Sequence, residues 1–176
     1  MLPHRILFDD RAIQARVGEL ATTIAGDLKG RQPVLLGLLT GSFVFLADLA
    51  RALARCGVEP KVDFLAVSHY GAGSDPTRPV RIEKETSLAL EDEAVLVVDD
   101  ILDSGRSLAA VLELLRARKP AWLRACVFLD KPAWRTVPIK ANYVGFEVAD
   151  VWLIGYGLDL GGEGRALPYV AAVEKT

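Results

Sequence analysis

Ile13, Val17, Leu20, Ala21, Ile24 and Leu28 recur every three or four positions along residues 10–29, the apolar stripe of an amphipathic helix. Asp9 or Asp10 is placed to cap its start and Gly30 its end. The period then changes. PVLLGLLT (33–40) is apolar at almost every position, as a strand covered on both faces must be. A second helix is expected over 42–56, with Phe45, Leu46, Leu49 and Leu53 facing inward and Gly57 as its stop. KVDFLAVS (61–68), AVLVVDD (94–100) and WLRACVFLD (122–130) read as further strands, and SLAAVLELLRARK (107–119) as a helix ended by Pro120. Strands alternating with helices predict an α/β fold around a parallel sheet.

Two stretches leave this rhythm. HYGAGSDPTRP (69–79) is rich in glycine, proline and small polar residues, the composition of a long loop. Beyond residue 130, YVGFEV (143–148), VWLI (151–154) and PYVAAV (168–173) are short strands with no long helix between them. They predict a small cap on the main sheet. The 176 residues suit one domain, with a core over about 10–130 and a hood mainly over 131–170 joined by the N-terminal segment.

Composition narrows the partners. Hydrophobic residues make 51% and charged residues 25% of the chain, and the net charge is −2. No large basic field argues for nucleic acid or a membrane surface. MLPHRILFDD lacks the pattern of a signal peptide, and no apolar run approaches the roughly 20 residues of a membrane span. Cys56 and Cys126 lack CxxC spacing and are expected as buried free thiols in a reducing, cytoplasmic setting.

The chemistry concentrates in VLVVDDILDSGRSL (95–108), where an apolar strand runs into three aspartates and a glycine turn. Ligands of open parallel sheets bind beyond the carboxyl ends of the strands. Asp99 and Asp100 lie there, on opposite faces, and Asp103-Ser104-Gly105-Arg106-Ser107 turns into a helix. Backbone amides at such a helix start hold phosphate. Ser104 and Ser107 add hydroxyls, and Gly105 permits close approach. A capping role suffices for Ser104 or Ser107 alone, but not for two adjacent carboxylates that repel each other. Acceptors for hydroxyls or metal beside donors for phosphate suit a phosphorylated sugar. No GxxxxGK[ST] and no GxGxxG after a strand is present.

This stretch resembles the phosphoribosyl pyrophosphate (PRPP) motif of the type I phosphoribosyltransferases. LLTGSFVFLADL, LDKPAWRTVP and YVGFEVADVWLIGYGLDLGGEGRALPY look like its 6-oxopurine branch, the hypoxanthine-guanine phosphoribosyltransferases. The motifs span most of residues 33–170. The resemblance implies the type I fold, a central parallel sheet flanked by helices with a small hood. It also implies purine salvage: Mg²⁺-dependent transfer of the 5-phosphoribosyl group from PRPP to hypoxanthine or guanine, giving IMP or GMP and pyrophosphate. A homodimer or homotetramer is expected with it.

Residue by residue, the resemblance gives Asp99 and Asp100 the ribose hydroxyls and the neighbouring Mg²⁺ site, and residues 103–107 the 5′-phosphate. Asp103 faces N7 of the purine as general base or acid; its bland alternative is a helix cap. Lys131 donates to the 6-oxo group, Trp152 stacks on the base and Leu153 touches it through the backbone. Asp159 is a metal-contacting acid close to the base, and Arg165 meets pyrophosphate. LLTGS (38–42) corresponds to the pyrophosphate loop, with a non-proline cis peptide placed at Leu39–Thr40. Thr40 stands where some members carry a basic residue, while Gly41 and Ser42 keep the backbone donors; by itself, Ser42 reads as a helix cap. Ser68, His69 and Tyr70 begin a lid that closes over the reaction. With two histidines in the chain, His69 is read as a lid residue and not as a metal ligand.

A PRPP-sensing regulator of the same fold is the alternative. It calls for a basic face or an added nucleic-acid module, and the sequence displays neither. A pyrimidine or adenine transferase conflicts with the Lys131 and Trp152 segments. Hypoxanthine, guanine and xanthine differ at C2, which the backbone near Leu153 and Asp159 would read.

Overall fold

The computed structural model describes residues 3–69 and 80–174. Strand β1 (His4–Phe8) leads into helix α1 (Asp10–Leu28), whose buried stripe is the one the sequence period marks. Asp9 caps it, its carboxylate accepting the Ala12 amide at 2.8 Å. Lys29, in the left-handed region at φ 51°, turns the chain out. Strand β2 (Pro33–Leu39) and helix α2 (Phe43–Arg55) follow, then β3 (Lys61–His69), β4 (Val80–Lys84), β5 (Ala94–Leu102), α3 (Arg106–Arg116) and β6 (Trp122–Asp130). A 3-10 turn over Pro132–Trp134 precedes β7 (Tyr143–Glu147), β8 (Leu153–Ile154) and β9 (Val170–Val173).

Six strands form the main sheet in the order β4-β3-β2-β5-β6-β7, and β1-β9-β8 form a second, antiparallel sheet. β2, apolar throughout, and β5, apolar over residues 94–98, occupy the middle, where both faces are covered. One face packs under α1 and α2 around Phe45, Phe128 and Ile13; the other packs under α3 around Val97, Leu108 and Val111. Among the described residues, no helix is long and apolar enough to cross a membrane.

Several expectations need correction. The strand at 143–148 is not part of the cap: β7 pairs in parallel with β6, Cys126 opposite Tyr143. Its outer edge is covered by α1, where Arg16 donates to the carbonyls of Gly145 at 2.7 Å and Val144 at 2.8 Å, which blunts an exposed edge. β1 and β4 carry too little periodic signal to be anticipated, and β4 runs antiparallel to β3. Helix α3 starts at Arg106 and ends at Arg116, three residues short of the expected boundary. Cys56 is exposed, because α2 ends at Arg55 and the cysteine follows the last inward turn; Cys126 is buried as expected, and burial pushes its thiol pKa up. The long loop at 70–79 lies outside the described residues.

Candidate active site

β5 runs farther than its neighbour. Its pairing with β2 ends at Val98 opposite Gly37, whereas its pairing with β6 continues to Leu102 opposite Asp130. Asp99 and Asp100 therefore belong to the strand itself and face the turn by which β2 enters α2. Leu39–Thr40 in that turn is a cis peptide, at the expected place. Ser42 is fully buried, and its hydroxyl donates back to the Leu38 carbonyl at 2.6 Å. It ties the loop to its strand and makes no capping bond to α2, which corrects the cap reading.

Gly41 is required by contact. A β-carbon there would lie 1.6 Å from Oδ2 of Asp100 and 2.5 Å from its Cγ. Asp100 has a short side chain that also accepts the Ile101 amide at 3.0 Å, so it cannot swing aside without losing that bond. Gly41→Ala is expected to lower PRPP affinity by about tenfold or more with the fold retained. Titration calorimetry reads this directly, and unchanged affinity would mean that the Asp100 carboxylate is not needed where it sits.

Together these segments line a cleft of about 320 Å³ that contains residues 38–41, Asp99 to Gly105, and Ser107. Burial first, and then the charge of Asp100, push the Asp99 carboxyl well above its ordinary range. Burial also raises Asp100, against the pull of Asp99's hydrogen bond, the Ile101 amide and the Arg165 charge. A carboxyl raised by folding costs stability as pH climbs from its ordinary value, about 4, through the raised one. Asp99→Asn removes that cost. Its melting temperature should match the unmodified protein near pH 4 and exceed it by about 3–6 °C at neutral pH, with activity lost. A lower melting temperature at pH 7 would contradict this account of the pair.

The loop that leads into α3 is built from behind. Gly105 precedes α3 at φ 86°, and a β-carbon would meet Ile139 Cγ2 at 2.6 Å and the Val137 carbonyl at 3.3 Å. The glycine thus answers to the segment that backs the loop. Arg135 fastens that segment, pairing with Asp130 and donating to the carbonyls of Asp103 at 2.8 Å, Leu102 at 3.0 Å and Ile139 at 2.7 Å. The amides of Thr136 and Val137 both reach the Ser104 carbonyl, at 3.0 and 3.1 Å. Ser104 Oγ accepts the Arg106 amide at 3.4 Å.

Asp103 stands at the exposed rim of the cleft. Desolvation by the cleft raises its pKa; Lys131 pulls it down, Asp150 pushes it up and Arg135 pulls it down. Lys131 is 8% exposed, its backbone amide fixed to the Leu102 carbonyl at 3.0 Å. Trp152 is 60% exposed, a free aromatic face beside the lysine. Leu153 is buried in β8, opposite Ala172.

Arg165 and Asp159 pair with each other, and Asp159 also accepts the Gly162 amide at 2.8 Å. Arg165 further donates to the Gly157 carbonyl at 2.5 Å. Gly157 packs so closely on the loop between β2 and α2 that a β-carbon would meet the Gly41 carbonyl at 2.1 Å. Among the described residues, no group of three acidic, histidine or cysteine side chains is gathered closely enough to hold a metal ion by itself. Ser68 donates to Glu83 at 2.7 Å. Tyr70 and the side chain of His69 lie outside the described residues.

Sequence reasoning missed four contributors. Arg135 is the first, and Trp134 and Asp150, which flank Lys131, are two more. The fourth is Tyr156, whose hydroxyl donates at 2.7 Å to Asp48, a buried acid also bound by Gln14 and Arg51. That node ties residues 155–159 to α2. Only an inward-facing aspartate on an apolar helix face hinted at it.

The phosphoribosyl transferase domain family matches residues 5–160. The chain is 44% identical over 171 residues to the hypoxanthine-guanine phosphoribosyltransferase of Aquifex aeolicus (strain VF5), covering 97% of this chain and 94% of that one. It is 40% identical to the hypoxanthine phosphoribosyltransferase of Escherichia coli (strain K12), covering 96% and 94%. The structure of the Trypanosoma cruzi hypoxanthine phosphoribosyltransferase in complex with the product IMP superposes with a TM-score of 0.90 at 36% identity, over 98% of this chain and 95% of that one. With the acidic strand end, the backed loop before α3 and near-full-length kinship converging, the chain belongs to the phosphoribosyltransferase family, in its hypoxanthine(-guanine) branch.

Proposed function

We propose that the protein transfers the 5-phosphoribosyl group of PRPP to N9 of hypoxanthine or guanine, releasing pyrophosphate and forming IMP or GMP, with the residues of the cleft in the following roles. One observation carries the reading: the Asp99–Asp100 pair, Asp99 buried and Asp100 half-buried, faces the glycine loop at Gly41 within a single cleft that also contains Asp103. Residues 104–107 at the start of α3 take the 5′-phosphate with amides and hydroxyls. Asp99 and Asp100 take the ribose hydroxyls. As the bond to pyrophosphate lengthens, positive charge develops on the ribose, and the carboxylates beside it lower the energy of that state. Asp103 accepts a proton from the base at N7, and its raised pKa brings it closer to neutral pH, where such a group works best.

Two adjacent carboxylates, one buried and one half-buried, unpaired by a lysine within the cluster and carrying hard oxygen donors only, fit Mg²⁺, which binds through one or two carboxylates together with substrate oxygens. When bound, Mg²⁺ neutralises the leaving pyrophosphate. Lys131 reads the 6-oxo group and Trp152 stacks on the ring, while Arg165 and the loop at Thr40 and Gly41 face pyrophosphate. Ser68, His69 and Tyr70 open the lid. The expected assembly, a homodimer or homotetramer, is read by light scattering.

A chelator is expected to abolish turnover, and added Mg²⁺ to restore it. Full activity in excess chelator overturns the metal assignment. No finding favours the regulatory alternative.

A further inference from the structure

Lys131 does not stand alone. Its ammonium lies 3.0 Å from Oδ1 of Asp150 and donates to the Val151 carbonyl at 3.2 Å. It sits between two exposed indole rings, 5.8 Å from the centroid of Trp134 and 6.0 Å from that of Trp152. The Trp134 indole N–H donates to the same Asp150 oxygen. Lysine and Trp134 come from the end of β6 and the turn after it, whereas Asp150 and Val151 come from the connection between β7 and β8. Four residues from two segments thus converge on one ammonium.

An ammonium has three donors and no acceptor. Left to itself, a lysine on a four-carbon stem samples many directions. Asp150 and Val151 occupy two donors, which leaves one for a ligand beside the rings. We infer that Asp150, pinned by the Trp134 indole, is a positioning residue that holds Lys131 so that its remaining N–H meets the 6-oxo group of the base. This rests on Lys131 being the base contact. It differs from a mere surface ion pair, which contributes little, because the lysine is buried and its partner holds it from one side only.

The charge of Asp150 reaches the proton-transfer group as well. Asp103 is faced by Lys131 from the end of β6, by Arg135 after the 3-10 turn and by Asp150 before β8, and Asp150 is the member of the three that raises its pKa. Removing that charge lets Asp103 ionise at lower pH. A group that must be ionised to accept a proton then keeps working further into acid.

The test compares Asp150→Asn, Asp150→Glu, Trp134→Phe and Lys131→Ala in the full chain, with KM for hypoxanthine and PRPP, the preference for hypoxanthine over adenine, and the pH profile of kcat/KM. Asp150→Asn should raise KM for hypoxanthine about tenfold, leave KM for PRPP within twofold, shrink the preference and move the acid limb to lower pH. Asp150→Glu should recover part of the loss. Trp134→Phe, which keeps a ring and removes the N–H, should give a smaller change of the same kind. Asp150→Asn with normal hypoxanthine KM and preference, in the face of a damaged Lys131→Ala, overturns this inference alone. Equal losses for PRPP and base, or a loss traced to a lower melting temperature, overturn it in favour of a structural role. An undamaged Lys131→Ala removes the base contact itself, and this inference with it.

Discussion

Asp103→Asn is expected to lower kcat with hypoxanthine by about 10²–10⁴-fold while PRPP affinity stays near that of the unmodified protein. Asparagine keeps the size and polarity of the side chain and loses only the titrating carboxylate. The surroundings suit that carboxylate to proton transfer, since burial lifts its pKa and Asp150 adds to the lift against Lys131 and Arg135. Because the ionised form accepts the proton, kcat/KM should fall as pH drops through the raised value, and this acid limb should lie above the ordinary aspartate range. The variant should lose the limb along with the rate. PRPP binding should survive because Arg135 and Thr136 hold the loop through the carbonyls of Asp103 and Ser104, which the substitution leaves in place. Near-normal kcat in the variant would remove Asp103 from the chemistry.

The second large effect concerns the choice of base. Stacking on Trp152 is blind to the exocyclic group, and its contribution is similar for any purine. Lys131 is expected to supply the choice. Its ammonium has donors only, so a 6-oxo group satisfies the one N–H left over by Asp150 and Val151, whereas the 6-amino group of adenine leaves that N–H without an acceptor in a desolvated site; such mismatches discriminate by about 10⁴-fold or more. Lys131→Ala should therefore cut kcat/KM for hypoxanthine steeply and collapse the ratio of hypoxanthine to adenine. Trp152→Ala should weaken both bases alike and leave the ratio. The ratio, measured by competition, separates the two roles. A Lys131→Ala enzyme with its ratio intact would assign the selectivity elsewhere.

Much of the main sheet was legible because burial writes itself as periodicity. The helix stripe of α1 and the unbroken apolar runs of β2, β5 and β6 admit few other readings. β1 and β4 escaped because five-residue strands with mixed exposure show neither clean alternation nor a run. β7 was given to the hood because its partner cannot be read locally: a strand states that it pairs, and the register with β6 is a long-range fact. The acidic pair and its loop were legible as chemistry, since adjacent carboxylates after an apolar strand have no bland explanation. Asp150, Trp134 and Arg135 were not. Their meaning lies in distances across segments, to Lys131 and to the loop carbonyls, and no spacing in the chain encodes these.

Phosphoribosyl transfer from PRPP to a 6-oxopurine is tested most directly by incubating the unmodified protein with PRPP, Mg²⁺ and, separately, hypoxanthine, guanine, xanthine and adenine. Nucleoside monophosphate and pyrophosphate are followed together. The expected result is equimolar IMP and pyrophosphate from hypoxanthine, GMP and pyrophosphate from guanine, and negligible AMP from adenine. Efficient turnover of adenine, or pyrophosphate released without nucleotide from any base, would contradict the account.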